Sequence, residues 1–317
     1  MVNVFFARAI PSVGAAHPET PAATERHPAA STPRHRLLRR TAYPVLLAAM
    51  VSVTAMTLRY GWDLGPVSFL FVVGTISYLA ILERLIPYEI DWSPSRTEWG
   101  WYGVYFLLTM VGGGVAQIPV FAVVRAVSVP DPALPLWAEI PLAALTGSLA
   151  SYLVHRLGHA NRWLWRLHGV HHVPQKVNVA NNGVNHVLDI VVAQFVVQVT
   201  LALIGFSPRS VFAVGMLVIA QGYFVHANID VRIGWLGYLL ASPEQHRLHH
   251  STDLSEAGHY GSDLSIWDSL FGTFTWHPGR APAAVGLSDP ASFPRTDAVF
   301  ATLVHPLRPT KPYGPSA

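Results

Sequence analysis

Residues 154–173 read VHRLGHANRWLWRLHGVHHV and hold five histidines: His155, His159, His168, His171 and His172. The stretch HRLHH adds His246, His249 and His250, repeating the H-x-x-H-H spacing of His168 to His172. On a helix, residues three and four apart share a face, so each cluster is expected to aim its imidazoles at one point. Neutral imidazole is a borderline ligand suited to iron, zinc, copper or nickel. Eight histidines exceed the four ligands of a closed zinc site and suit two metal ions, each with a position open to substrate or oxygen. A single H-x-x-x-H arises often by chance. Three clusters at helical spacing, in a chain of 317 residues with 16 histidines, point to a two-metal centre.

The elements that must hold these clusters are apolar. The chain is 51% hydrophobic and 12% charged, about half the charged share of a soluble domain. Apolar runs near 43–58, 67–86, 99–124, 136–154, 187–206 and 211–225 approach the roughly 20 residues needed to cross a bilayer. They predict an all-α fold: a polytopic membrane helical bundle with a cytoplasmic, histidine-rich di-metal helical cap. Gly112, Gly113, Gly114 and Pro119 predict a kink or a split in the third run. The short SPRS link after the fifth predicts a helical hairpin that need not reach the far face.

Residues 1–40, rich in Ala, Pro, Thr and Ser near the start, are expected to form a disordered tail. Residues 41–277 form the membrane domain, and 278–317 a Pro- and Ala-rich tail draped over the cap. The arginines of HRLLRR, just before the first run, favour a cytoplasmic start. Four spans then bring the chain back inside at His155, and the hairpin leaves and returns before His246. Arg156, Arg162, Arg166, Lys176, Arg232 and Arg247 fall on that same side, against Arg59, Arg125 and Arg209 on the other. Charge bias and ligand placement therefore agree on an integral, multi-pass protein with its site facing the cytoplasm. The segment VRIGWLGYLLASPEQH suits either the membrane interface or a packed loop.

Other classes fit less well. With no cysteine, disulfides and thiolate metal sites are excluded. No basic run interleaved with aromatics suggests nucleic acid. A histidine-rich transporter or binding protein for divalent metal is the alternative, and would place polar residues near mid-bilayer. Here the histidines lie at span ends and in loops. Arg156 stands where the H-E-x-x-H of a zinc protease needs its glutamate. Bis-histidine haem binding would put its ligands inside the spans.

SYLVHRLGH followed by LWRLHGVHH resembles the first two histidine boxes of the fatty acid hydroxylase and sterol desaturase superfamily of membrane-bound di-iron oxygenases. SPEQHRLHH resembles the third box, and LSIWDSLFGTF the stretch after it. ERLIPYEIDW and VHANID resemble two further family elements, so the similarity runs over roughly residues 83–274. The resemblance implies that the eight box histidines bind two iron ions and that His226 is a further ligand. His186 sits where the family often has a His-Pro pair, here followed by Val187, and is a second-sphere candidate. His259 stands where asparagine is common, as an extra ligand, a proton donor or a neutral exchange. Asp189, Asp230 and Asp268 are the carboxylates best placed to take a hydrogen bond from a ligand's second nitrogen, with helix capping or surface pairing as the ordinary alternative. The chemistry implied is O2-dependent hydroxylation or desaturation of a lipid (fatty acyl, sterol or carotenoid-like) drawn from the bilayer. No flavin, haem or iron–sulfur motif is visible. An external reductase with a ferredoxin or cytochrome b5-like carrier is therefore expected to supply electrons.

Overall fold

The computed structural model describes residues 32–127 and 134–308. Helices α1 (Pro33–Tyr60), α2 (Leu64–Leu85), α3 (Arg96–Val127) and α4 (Leu136–Ala160) come first, and α5 (Arg162–His168) turns off the end of α4. Next come α6 (Val187–Ile204) and α7 (Pro208–His226), then three short helices: α8 (Pro243–His249), α9 (Ile266–Phe271) and α10 (Val299–Val304). The described residues contain no strand, only isolated bridges at Pro87–Ile229 and Ser251–Val285. Helices α1, α2, α3, α6 and α7 are long and apolar enough to cross a membrane, and the chain is a multi-pass membrane protein.

Local sequence sets the helix ends. Thr32 caps α1 by accepting from the His35 amide, Pro33 occupies its first turn, and Gly61 closes it at φ 65°. This cap makes residues 33–40 helical, so that part of the expected disordered tail is corrected; the rest, residues 1–31, lies outside the described residues. The link between α6 and α7 works the same way, with Gly205 ending one helix and Ser207 and Pro208 opening the next.

The third span is not split into two helices. Helix α3 runs unbroken from Arg96 to Val127. Gly112 and Gly113 serve close packing: a Cβ at Gly112 would lie 3.0 Å from the Val187 carbonyl oxygen, and one at Gly113 would lie 3.2 Å from Gln194 Nε2. The fourth expected span, α4, is not among the five helices that length and composition alone mark as apolar enough to cross. It is 25 residues, or about 37 Å at 1.5 Å per residue, but its polar groups bind inside the bundle. Glu139 accepts from the Ser207 amide and hydroxyl at 2.5 and 2.9 Å, and Ser148 donates to Asp263 at 2.6 Å.

Packing brings the relevant ends together. Tyr43 of α1 stacks on Phe224 of α7 at 4.2 Å and donates to Gln221 at 2.8 Å. Gln221 in turn donates to the carbonyls of Ala241 and Asp263, which tie the loops around α8 to the bundle. The segment before α8 leaves Trp235, Tyr238 and Leu239 exposed. Residues 278–308 are no loose tail. Phe293 meets Trp165 edge-on at 5.8 Å, Arg166 donates to the carbonyls of His305 and Arg308, and Leu287 joins the buried cluster around Tyr102 and Val170.

Candidate metal centre

His155 and His159 share a face on the last turns of α4. Asn161 then stops α4 and caps α5 by accepting from the amides of Trp163 and Leu164. His168 ends α5, and a 3-10 turn, Gly169–His172, carries His171 and His172. His226 is the last residue of α7, while α8 carries His246 and His249 and ends against His250. Ser242, Pro243 and Gln245 build a full capping box that starts α8 just ahead of its histidines.

All nine imidazoles come together, in two sets. The first holds His155, His159, His168, His172 and His249; the second holds His171, His226, His246 and His250. Within each set the available ligand atoms lie within 4.8 Å of one another. The sets share a wall, where His172 stacks on His250 at 4.3 Å. This corrects the expectation that each H-x-x-H-H cluster aims at one point. At about 100° per residue, positions i and i+4 stay within about 40° of each other, whereas i+3 lies about 100° from i+4. His246 and His250 thus enter one set and His249 the other; the same division is seen in the first motif, where His168 and His172 part from His171 across the 3-10 turn.

Hydrogen bonding prepares the ring nitrogens. Nδ1 donates to a backbone carbonyl at His155 (Tyr260, 2.7 Å), His171 (Val184, 3.3 Å), His226 (Asn178, 2.8 Å) and His249 (Gly258, 2.9 Å). At His168 it meets the Asp189 carboxylate at 3.0 Å. Those bonds select the tautomer that leaves the Nε2 lone pair free. The Nε2 atoms of His155, His159, His168, His172, His226 and His249 are buried without a hydrogen-bond partner. Such orphaned acceptors are costly unless a cation takes them. His250 and His246 point Nε2 at Nε2 across 3.1 Å. Burial, reinforced by neighbouring imidazoles, pushes His171, His172, His246 and His250 well below the ordinary histidine range; burial does the same at His249, beside His155. Burial thus favours the neutral form, the one that binds metal, at these five rings. By this donor chemistry both sets fit a metal ion.

The outer candidates divide. Asp189 does orient a box histidine, and Asp189→Ala is expected to weaken metal retention about 10- to 100-fold, the usual cost of losing such a partner. Chelator competition on the purified protein measures this, and an unchanged competition curve counts against the role. Asp230 instead pairs with Arg39 at 2.6 Å. Asp268 touches no imidazole; it accepts from the amides of Tyr260 and Gly261 at 2.8 and 2.9 Å, holding the loop whose Tyr260 carbonyl receives His155. His186 caps α6, accepting from the Leu188 amide and donating to the Leu303 carbonyl. His259 belongs to neither set: at φ 62°, its Nε2 accepts from the amides of Thr275 and Trp276. The four carbonyl partners had no signal in the sequence, because every residue has a carbonyl.

A pocket of about 50 Å³ opens onto the first set alone. His159, His172 and His249 line it with Trp165, Leu254 and Leu287. The second set is wholly buried.

Comparison with known proteins follows the same residues. A family model described as fatty acid hydroxylase matches residues 140–273. The chain is 32% identical over 230 residues to ornithine lipid hydroxylase OlsE of Rhizobium tropici, covering 68% of this chain and 69% of that protein. It is 31% identical over 125 residues to alkylglycerol monooxygenase of Homo sapiens, which covers 39% of this chain but 27% of that protein. With the Danio rerio alkylglycerol monooxygenase it shares 30% identity over 151 residues, 47% of this chain and 33% of that protein. No solved structure matches.

Proposed function

Because the chain belongs to the fatty acid hydroxylase family, within the fatty acid hydroxylase and sterol desaturase superfamily, we propose that it is a membrane di-iron oxygenase that hydroxylates a lipid. The observation that carries this reading is the pair of inward-facing imidazole sets, with six Nε2 atoms buried and unpartnered. Two iron ions held by these sets would supply O2 activation and insertion of one oxygen atom into a C–H bond. Every other contribution comes from the chain. The carbonyls of Tyr260, Val184, Asn178 and Gly258 and the Asp189 carboxylate aim the nitrogens. Trp165, Leu254 and Leu287 supply the apolar part of the wall of the pocket on the first set, beside Ser251 and Ser288.

The lipid hydroxylase and monooxygenase relatives favour hydroxylation over desaturation. A lipid substrate fits a site at the ends of apolar helices. Electrons come from an external reductase through a ferredoxin or cytochrome b5-like carrier, since a chain without cysteine cannot ligate its own iron–sulfur cluster through thiolates. The site faces the cytoplasm in this reading, which counts α4 as a fourth crossing and is supported by the arginine bias around the site.

The test is lipid profiling of cells expressing the protein or its His249→Ala variant under ¹⁸O2. A lipid that gains one labelled oxygen only with the parent protein is the expected result. Equal lipid profiles in the two strains, with both proteins present in the membrane and metal-loaded, would refute the oxygenase reading.

A further inference from the structure

Glu83, at the end of α2, lies outside both imidazole sets, and is 9% exposed. A single oxygen, Oε1, accepts the amide of Val179 at 2.7 Å and that of Asn228 at 2.8 Å. Those two amides come from segments that matter to one ligand. Asn228 is two residues past His226. Val179 follows Asn178, whose carbonyl receives His226 Nδ1 at 2.8 Å. One carboxylate oxygen therefore sets the spacing between the backbone that carries this imidazole and the carbonyl that orients it. The surrounding stitches agree: Tyr88 and Glu89 donate their amides to Asn228, Asp230 donates its own to Ile86, and Arg39 pairs with Asp230.

We infer that Glu83 is the positioning residue for the four-imidazole metal site, acting through His226. The inference rests on the reading that both sets bind metal. It adds that the sites differ in tolerance. The first set has five imidazoles and keeps four if one ring swings away, whereas the second falls from four to three. Loosening His226 should therefore release the second ion selectively.

Metal content of the purified, metal-loaded full chain tests this, together with chelator competition and a thermal melt. The parent should hold about two ions per chain, and Glu83→Ala should lose about one, its second-site affinity falling about 10- to 100-fold. Glu83→Gln keeps an acceptor at the same reach and should retain both ions. Glu83→Asp keeps the charge but shortens the side chain, and should lose the second ion as alanine does. His226→Ala should show the same loss, and combining it with Glu83→Ala should add little. If the alanine variant does not accumulate, the contrast between Gln and Asp decides. Full metal content in Glu83→Asp, equal loss from both sites, or a Gln variant as defective as Asp would each overturn the inference. A lowered melting temperature with both ions kept would mark Glu83 as structural only. A parent that holds no metal would instead sink the two-metal reading itself.

Discussion

His249→Ala should lower turnover at least about 100-fold while leaving the helical bundle folded. Losing an outer hydrogen-bond partner already costs about 10- to 100-fold in activity or affinity, and His249 is proposed as a ligand itself. Its ring is 1% exposed and packs against His155, His159 and His172 with centroids at 4.5, 4.7 and 4.9 Å. Nothing else among the described residues meets its Nε2. Four imidazoles remain in that set, so the ion should be held more loosely rather than lost outright, and a chelator should strip it faster. The fold should survive because apolar packing such as Leu79, Met216, Phe224 and Ile229 holds the bundle without the site. Parent-level turnover in the variant, measured after metal loading, would remove His249 from the reacting centre.

Gly258→Ala should be nearly as damaging, although the substitution adds one methyl. The Gly258 carbonyl receives His249 Nδ1 at 2.9 Å, and a Cβ on Gly258 would be driven onto the carbonyl oxygen of Thr273. Thr273 is not free to retreat. Its carbonyl accepts the His259 amide at 3.0 Å, its own amide donates to the Asp268 carbonyl, and its hydroxyl donates to the Asp268 carboxylate at 2.7 Å. Overpacking against fixed backbone costs about 1–3 kcal/mol. The backbone shift that relieves it must also move the acceptor that aims His249. A lower melting temperature should therefore accompany faster loss of metal from the first set. Gly100→Ala, on α3 with open space around its Cβ, is the control and should change neither. A Gly258→Ala protein that melts and retains metal like the parent would show that this loop does not brace the site.

Much of this protein is legible from short-range pattern alone. The box histidines declare themselves by residue type and helical spacing, and apolar runs announce the membrane helices. The caps at Thr32, Ser207 and Ser242 are contacts between residues two or three apart, yet Thr32 lies in the stretch expected to be disordered. Local pattern left matters open where one residue type serves two ends: Gly112 and Gly113, expected to kink or split a span, act as packing surfaces, and Asp230, an imidazole partner or a surface pair by sequence, binds Arg39.

Which set each histidine joins was decided by the tertiary structure. His249 joins His155, and His226 joins His171, through contacts that span 94 and 55 residues by their numbering. The partners that aim the rings were equally hidden. His155 reaches the Tyr260 carbonyl 105 positions away and His226 the Asn178 carbonyl 48 positions away. The physical reason is simple. Side-chain type and helical period are written residue by residue, but a backbone carbonyl is common to all of them and acquires its role only when folding brings it against a ring.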